Sequence, residues 1–181
     1  MPIDQLIAVV HPPLTPVATG SADLWLEVEK RLGTALPPDY KDFIALYGSG
    51  GFYGFLGIYS PFYERDSLIA ANEFYLAGFK ELSGLTRDVV LTFPDPGGLL
   101  ICGGDENGNS LFWQTRGEPS AWTIVYASRE LIDFEEFDTD LTGFLAGWLS
   151  GAIRPHIIDF PINGVRVVER NVPVFKPDRF E

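Results

Sequence analysis

The chain has 181 residues, the length of one domain, and is 46% hydrophobic and 21% charged, a globular rather than a disordered composition. Its 13 basic and 25 acidic residues leave a formal charge of −12, which disfavours nucleic acid as a partner, because phosphate would repel it, and favours a basic one. The single cysteine, Cys102, excludes an internal disulfide and a cysteine-rich zinc site.

Residues 1–20 carry Pro2, Pro12, Pro13 and Pro16 and end in Thr19-Gly20, so they read as an extended lead-in. A domain over 21–152 and a C-terminal extension over 153–181, packed on that domain, complete the expected organisation. The start, Met1-Pro2-Ile3-Asp4, has no basic segment, and the apolar run 6–10 stops at His11-Pro12-Pro13. No signal peptide is expected, and a cytoplasmic location follows.

The first predicted helix covers 22–32, with Leu24, Val28 and Leu32 on one face, Ser21 as N-cap and Gly33 as stop. A second starts at Pro37-Pro38-Asp39, where proline suits the first turn, and repeats Tyr40, Phe43, Ile44 and Tyr47 before Gly48. The stretch 43–63 holds no charge and is long enough to span a bilayer. Its glycines and Pro61 argue instead for a helix end followed by strands and turns, so no membrane partner is expected. A third helix is predicted over 67–82 on the stripe Leu68, Ala71, Tyr75, Phe79 and Leu82.

Strand character then takes over. Residues 89–93 read as a strand, 99–102 as a short apolar run, 103–109 as a turn, and 110–115 and 122–127 as further strands. Asn107-Gly108 between apolar runs is a hairpin signal. A closing helix over 141–149 turns Leu141, Phe144, Leu145 and Trp148 inward before Gly151, and the tail has one strand candidate at 165–168. Strands on short turns pair antiparallel, and segregated helices and strands give an α+β fold: N-terminal helices packed on an antiparallel sheet with a closing C-terminal helix.

Catalytic constellations are not found. Cys102 would need a histidine base, and neither His11 nor His156 stands in a context that marks it as one; burial in a strand is the simpler reading. Asp105-Glu106-Asn107-Gly108-Asn109 opens like a calcium loop, but its sixth position is Ser110 and its twelfth Arg116, so no metal is expected. Gly48-Ser49-Gly50-Gly51 follows a helix and lacks the lysine of a phosphate loop, so no nucleotide cofactor is expected. Trp25, Trp113, Trp122 and Trp148 come without a cluster of basic residues and read as core or subunit contacts. The carboxylates Asp133, Glu135, Glu136, Asp138 and Asp140 read as a solvated acidic edge or a partner surface. No basic residue falls between Arg87 and Arg116 or between Arg129 and Arg154, so the negative charge is regional.

The order of segments resembles a known family. Trp25-x3-Glu29-x2-Leu32-Gly33, Leu36-Pro37-x-Asp39-Tyr40-Lys41-x-Phe43 and Tyr47-Gly48-x-Gly50 are similar to the opening of the SUKH superfamily, named after fungal Smi and Knr cell-wall regulators. Pro96-Gly97-Gly98-Leu99-Leu100, Asp105-Glu106-Asn107-Gly108, Leu111-Phe112-Trp113, Gly117-x-Pro119-x2-Trp122 and the late helix through Trp148 continue it, over roughly 22–150. The resemblance implies helices on an antiparallel sheet and a non-catalytic protein-binding role. Bacterial members are commonly immunity proteins that neutralise toxin domains of polymorphic toxin systems. Fungal members carry long disordered arms, which the segments read here do not, so the bacterial type is the expectation. An acidic immunity protein would steer onto a basic toxin domain, with the hairpin tip Asp105, Glu106, Asn107 and the carboxylates Asp133, Glu135, Glu136, Asp138 and Asp140 as the binding surface. The alternative is an intracellular scaffold without a toxin partner.

Overall fold

The computed structural model describes residues 2–64, 67–83, 90–158 and 174–178. Helices α1 (Pro2–Val9), α2 (Ala22–Leu32) and α3 (Pro38–Tyr47) precede the short strands β1 (Gly50–Phe52) and β2 (Leu56–Ile58), and α4 (Leu68–Ser83) follows. Then come β3 (Leu99–Asp105), β4 (Ser110–Gln114), a 3-10 turn at Pro119–Ala121, β5 (Thr123–Ala127), β6 (Phe134–Phe137), α5 (Leu141–Ser150) and β7 (Phe175–Pro177). The strands form one antiparallel sheet in the order β6-β5-β4-β3-β2-β1-β7. The fold is α+β.

Local chemistry accounts for most element ends. Ser21 Oγ accepts the Leu24 N–H at 3.5 Å, and Gly33 closes α2 in the left-handed region at φ 77°. Gly151 does the same for α5 at φ 79°. These are positions where a Cβ would be strained. The α2 stripe differs from expectation: Val28 is buried, but Leu24 is 45% exposed, because the helix rests on α3 through Trp25, whose ring meets Tyr40 edge-on at 5.8 Å.

The lead-in is not extended throughout. Residues 2–9 form α1, with Ile3, Leu6 and Val10 buried at helical spacing. Pro2 stands at the first helical position, where its missing N–H costs nothing, and Pro12 and Pro13 lie beyond the end. α1 packs on α5 and α3, and the Tyr47 hydroxyl donates to the Val10 carbonyl at 2.5 Å.

The sheet carries helices on both faces. One face presents Phe52, Leu56, Ile58, Leu100, Cys102, Leu111, Trp113, Ile124 and Tyr126 to the layer of α1, α3 and α5. The other presents Ile101, Phe112 and Val125 to α4 through Phe79 and Tyr75. Asn72 pins α4 down: its amide nitrogen donates to Leu68 O at 2.8 Å and Ile101 O at 3.2 Å, and its oxygen accepts the Ile101 N–H at 3.0 Å. All three groups are buried where a register shift between Ile101 and Gly103 interrupts the β3–β4 ladder.

Three further expectations are corrected. Residues 90–93 form no strand; Thr92 makes a lone bridge to Leu99, because the chain doubles back at 92–98, where Pro94 and Pro96 offer no N–H. Residue 89 lies outside the described residues. Gly103 and Gly104 are not turn residues but continue β3, paired with Ile58 and Gly57 of β2. The acidic segment contains β6, whose Phe134 and Phe137 point to opposite faces of the sheet. The tail also carries β7, with Phe175 set among Phe43, Tyr47 and Phe52 at ring distances of 6.2, 5.3 and 5.0 Å. The candidate at 165–168 lies outside the described residues.

Candidate functional site

The hairpin tip forms as its Asn-Gly signal requires. Asp105 is the hub: its carboxylate accepts the Asn107 and Asn109 N–H groups and the Asn109 side-chain amide, each at 2.9 Å, and the Tyr126 hydroxyl at 2.8 Å. Burial and this carboxylate push the Tyr126 phenol far above its ordinary range. Asp105 therefore holds the turn, whereas Glu106 and Asn107 are exposed at its tip. The Glu106 N–H donates to Phe55 O at 3.0 Å, and Asn109 Oδ1 accepts the Arg129 N–H at 3.0 Å. The tip is thereby joined to the β1–β2 turn on one side and the β5–β6 turn on the other.

The other carboxylates divide between the two ends of the sheet. Ser110, Ala127 and Phe134 align at the hairpin-tip end, and Phe137 aligns with Ile124 toward the opposite one. Asp133 thus lies at the tip end, and Asp138 and Asp140 at the other. Asp133 meets His156 Nε2 at 3.0 Å, while Glu135 meets His156 Nδ1 and accepts its backbone N–H, both at 2.8 Å. Glu136 stands 4.0 Å from Arg116. Asp138 is exposed. Asp140 caps α5 by accepting the Gly143 N–H at 2.8 Å. The single acidic surface expected from the sequence is thus broken into parts. Glu106, Asn107, Glu136 and Asp138 face solvent, whereas Asp105 and Asp140 are tied to backbone.

Sequence reasoning missed Asp39. It opens α3 and accepts the Thr142 N–H of α5 at 3.0 Å, with Asp140 beside it. Burial raises its carboxyl to about 6, the Thr142 bond working against the shift and the Asp140 charge adding to it. Proline followed by aspartate signals a helix start, but nothing in the sequence shows that this carboxylate caps a second helix 103 positions away.

Cys102 is fully buried, its Sγ 3.3 Å from Leu111 O, and burial pushes its thiol well above its ordinary range. A thiol held neutral there is a poor nucleophile. His156 contacts two carboxylates on the β6 side, and His11 is exposed beyond α1. Among the described residues no three His, Cys, Asp or Glu side chains are grouped to hold a metal ion, and no helix is long and apolar enough to cross a membrane.

A search of curated proteins finds no match. A family model of the SUKH group, described as SMI1-KNR4 cell-wall, matches residues 22–145, from the start of α2 into α5. That match takes in α2 through β6, the hairpin tip and the acidic segment 133–140. The chain belongs to the SUKH (SMI1-KNR4) family.

Proposed function

We propose that this chain is a non-catalytic binding protein of the immunity type, acting in the cytoplasm by covering a basic toxin domain. The family match over 22–145 carries the reading. The surface chemistry supports it. Glu106, Glu136 and Asp138 are exposed on a chain of net charge −12, and an acidic surface of this kind steers a basic partner into contact. The buried Cys102 and the carboxylate-bound His156 are arranged for packing rather than for joint chemistry.

Tagged full-length chain is captured from its native cells, and a recovered partner is identified by mass spectrometry. That partner is then expressed in a sensitive host with and without the chain. The expected result is a basic protein that arrests growth alone and is tolerated when the chain is present. A partner that is harmless on its own would replace the immunity reading with the scaffold one.

A further inference from the structure

Among the described residues, α4 covers only part of its face of the sheet. Beyond it, the same face carries Lys176, Gly51, Gly57 and Gly104, aligned in register across β7, β1, β2 and β3. The next position in that row, Ser110, is buried and hydrogen-bonded to Tyr75 of α4. The glycine stretch is the floor of a groove of about 510 Å³, with Tyr59 and Tyr63 among its walls and Glu106 and Asp178 in its lining.

Gly57 separates this floor from ordinary tight packing. A Cβ on Gly103 would stand 2.5 Å from the Gly57 carbonyl oxygen, so the fold itself calls for glycine there, and one on Gly104 would stand 2.8 Å from the Tyr59 hydroxyl and 3.2 Å from the Asn109 carbonyl oxygen, so the tyrosine side chain would have to give way. Among the described residues, a Cβ on Gly57 would meet nothing closer than the Gly104 carbonyl oxygen at 3.7 Å, an ordinary contact, and its φ lies outside the left-handed region. Glycine inside a strand is destabilising, and where the fold does not require it, it marks the close approach of something else.

Resting on the binding role proposed above, we infer that this groove receives an arginine-bearing loop of a basic protein. The loop backbone lies against Gly57, and the guanidinium stacks on the tyrosine walls and pairs with Glu106 and Asp178. Charge selects this occupant: among the described residues, carboxylates of Asp105, Glu106 and Asp178 line the groove, with Lys176 as the described cation. A planar guanidinium suits tyrosine and carboxylate together.

The probe is a capped Gly-Arg-Gly-Arg-Gly peptide, titrated into isotope-labelled full-length chain and followed by backbone amide shifts. Its citrulline counterpart, of like shape but uncharged, is the control. Saturable shifts are expected at Gly51, Gly57 and Gly104, with binding about tenfold weaker for the citrulline peptide. Gly57→Val is expected to lose these shifts while melting no lower than the parent, since valine favours strands and the space is open. Gly57→Ala, which adds only the Cβ, serves if the valine variant does not fold. Glu106→Lys is expected to weaken binding as well. The inference is overturned by an absence of saturable shifts, by shifts confined to the 133–138 edge, or by unchanged binding in the Gly57 variant. Because the probe is a peptide, failure here leaves the partner-capture result standing, and a harmless partner there leaves the groove standing.

Discussion

Asp39 and Asp140 meet where the first turns of α3 and α5 converge, and their charges oppose each other. The Asp39 carboxyl titrates at about 6 in the folded chain against 3.8 for the free group, so the folded state binds its proton more tightly than the unfolded state does. The stability that protonation contributes is fully present below the unfolded value and is lost as pH rises through the folded one. The shift is worth up to about 3 kcal/mol. Asp39→Asn keeps an acceptor for the Thr142 N–H and removes the titration. Urea unfolding between about pH 4 and pH 7 should show stability falling with pH in the parent and a flatter profile in the variant; equal slopes would exclude Asp39 as the source. The candidate carboxylates also separate by their effect on stability. Asp140→Ala should cost about 1 kcal/mol through loss of the α5 cap. Asp105→Ala should cost about 2 kcal/mol or more, since it releases the turn amides and Tyr126 together. Glu106→Ala should stay within about 0.5 kcal/mol. Denaturation at neutral pH measures all three, and an Asp105 variant as stable as the Glu106 variant would remove the structural role given to Asp105.

Two elements depend on contacts that single residues supply. α1 precedes the matched family segment, yet Leu6 is fully buried between α3 and α5. Leu6→Ala should cost about 2–5 kcal/mol in thermal or chemical unfolding, the range for emptying a leucine site in a packed core. A loss below about 0.5 kcal/mol would mean that α1 is peripheral. α4 is held at its start by Asn72. Asn72→Ala leaves the buried Ile101 N–H and C=O without their side-chain partner and should cost about 1–3 kcal/mol. Amide exchange should rise in α4 and at Ile101 while β5 stays protected; uniform acceleration would show that α4 opens only with the whole fold.

At the scale of the whole molecule the net charge of −12 is a statement about association. The carboxylates are spread around the sheet, with Arg129, His156 and Arg116 set among them, so attraction is summed over the surface rather than concentrated in one patch. Association with a basic partner should slow about tenfold or more as salt rises from low ionic strength to well above physiological, while dissociation changes little. Stopped-flow rates across a salt series test this, and an on-rate indifferent to salt would end the electrostatic part of the proposal.

The helices over 22–32, 38–47 and 141–150 were legible because apolar spacing, proline at the first turn and glycine at the stop are local signals that their environment did not override. The β3–β4 hairpin was legible from Asn107-Gly108 for the same reason. α1 was hidden because its prolines weighed more in the reading than the Ile3, Leu6, Val10 spacing. β6 was hidden because four residues that alternate phenylalanine and glutamate only loosely have no periodicity of their own. Gly103 and Gly104 looked like a turn, since glycine permits both, and only pairing with β2 selects strand.

Residue order alone determined the α+β class, the family and the acidic balance, because these depend on local pattern and on counting. The roles of individual residues were decided only by the tertiary structure. Chain folding set Asp39 against α5, turned Asp105 and Asp140 inward as structural ligands, enclosed Cys102, brought His156 to Asp133 and Glu135, and left Gly57, among the described residues, on an open stretch of sheet. Those outcomes depend on pairs of residues far apart in sequence, and no local pattern encodes which distant partner a side chain will meet.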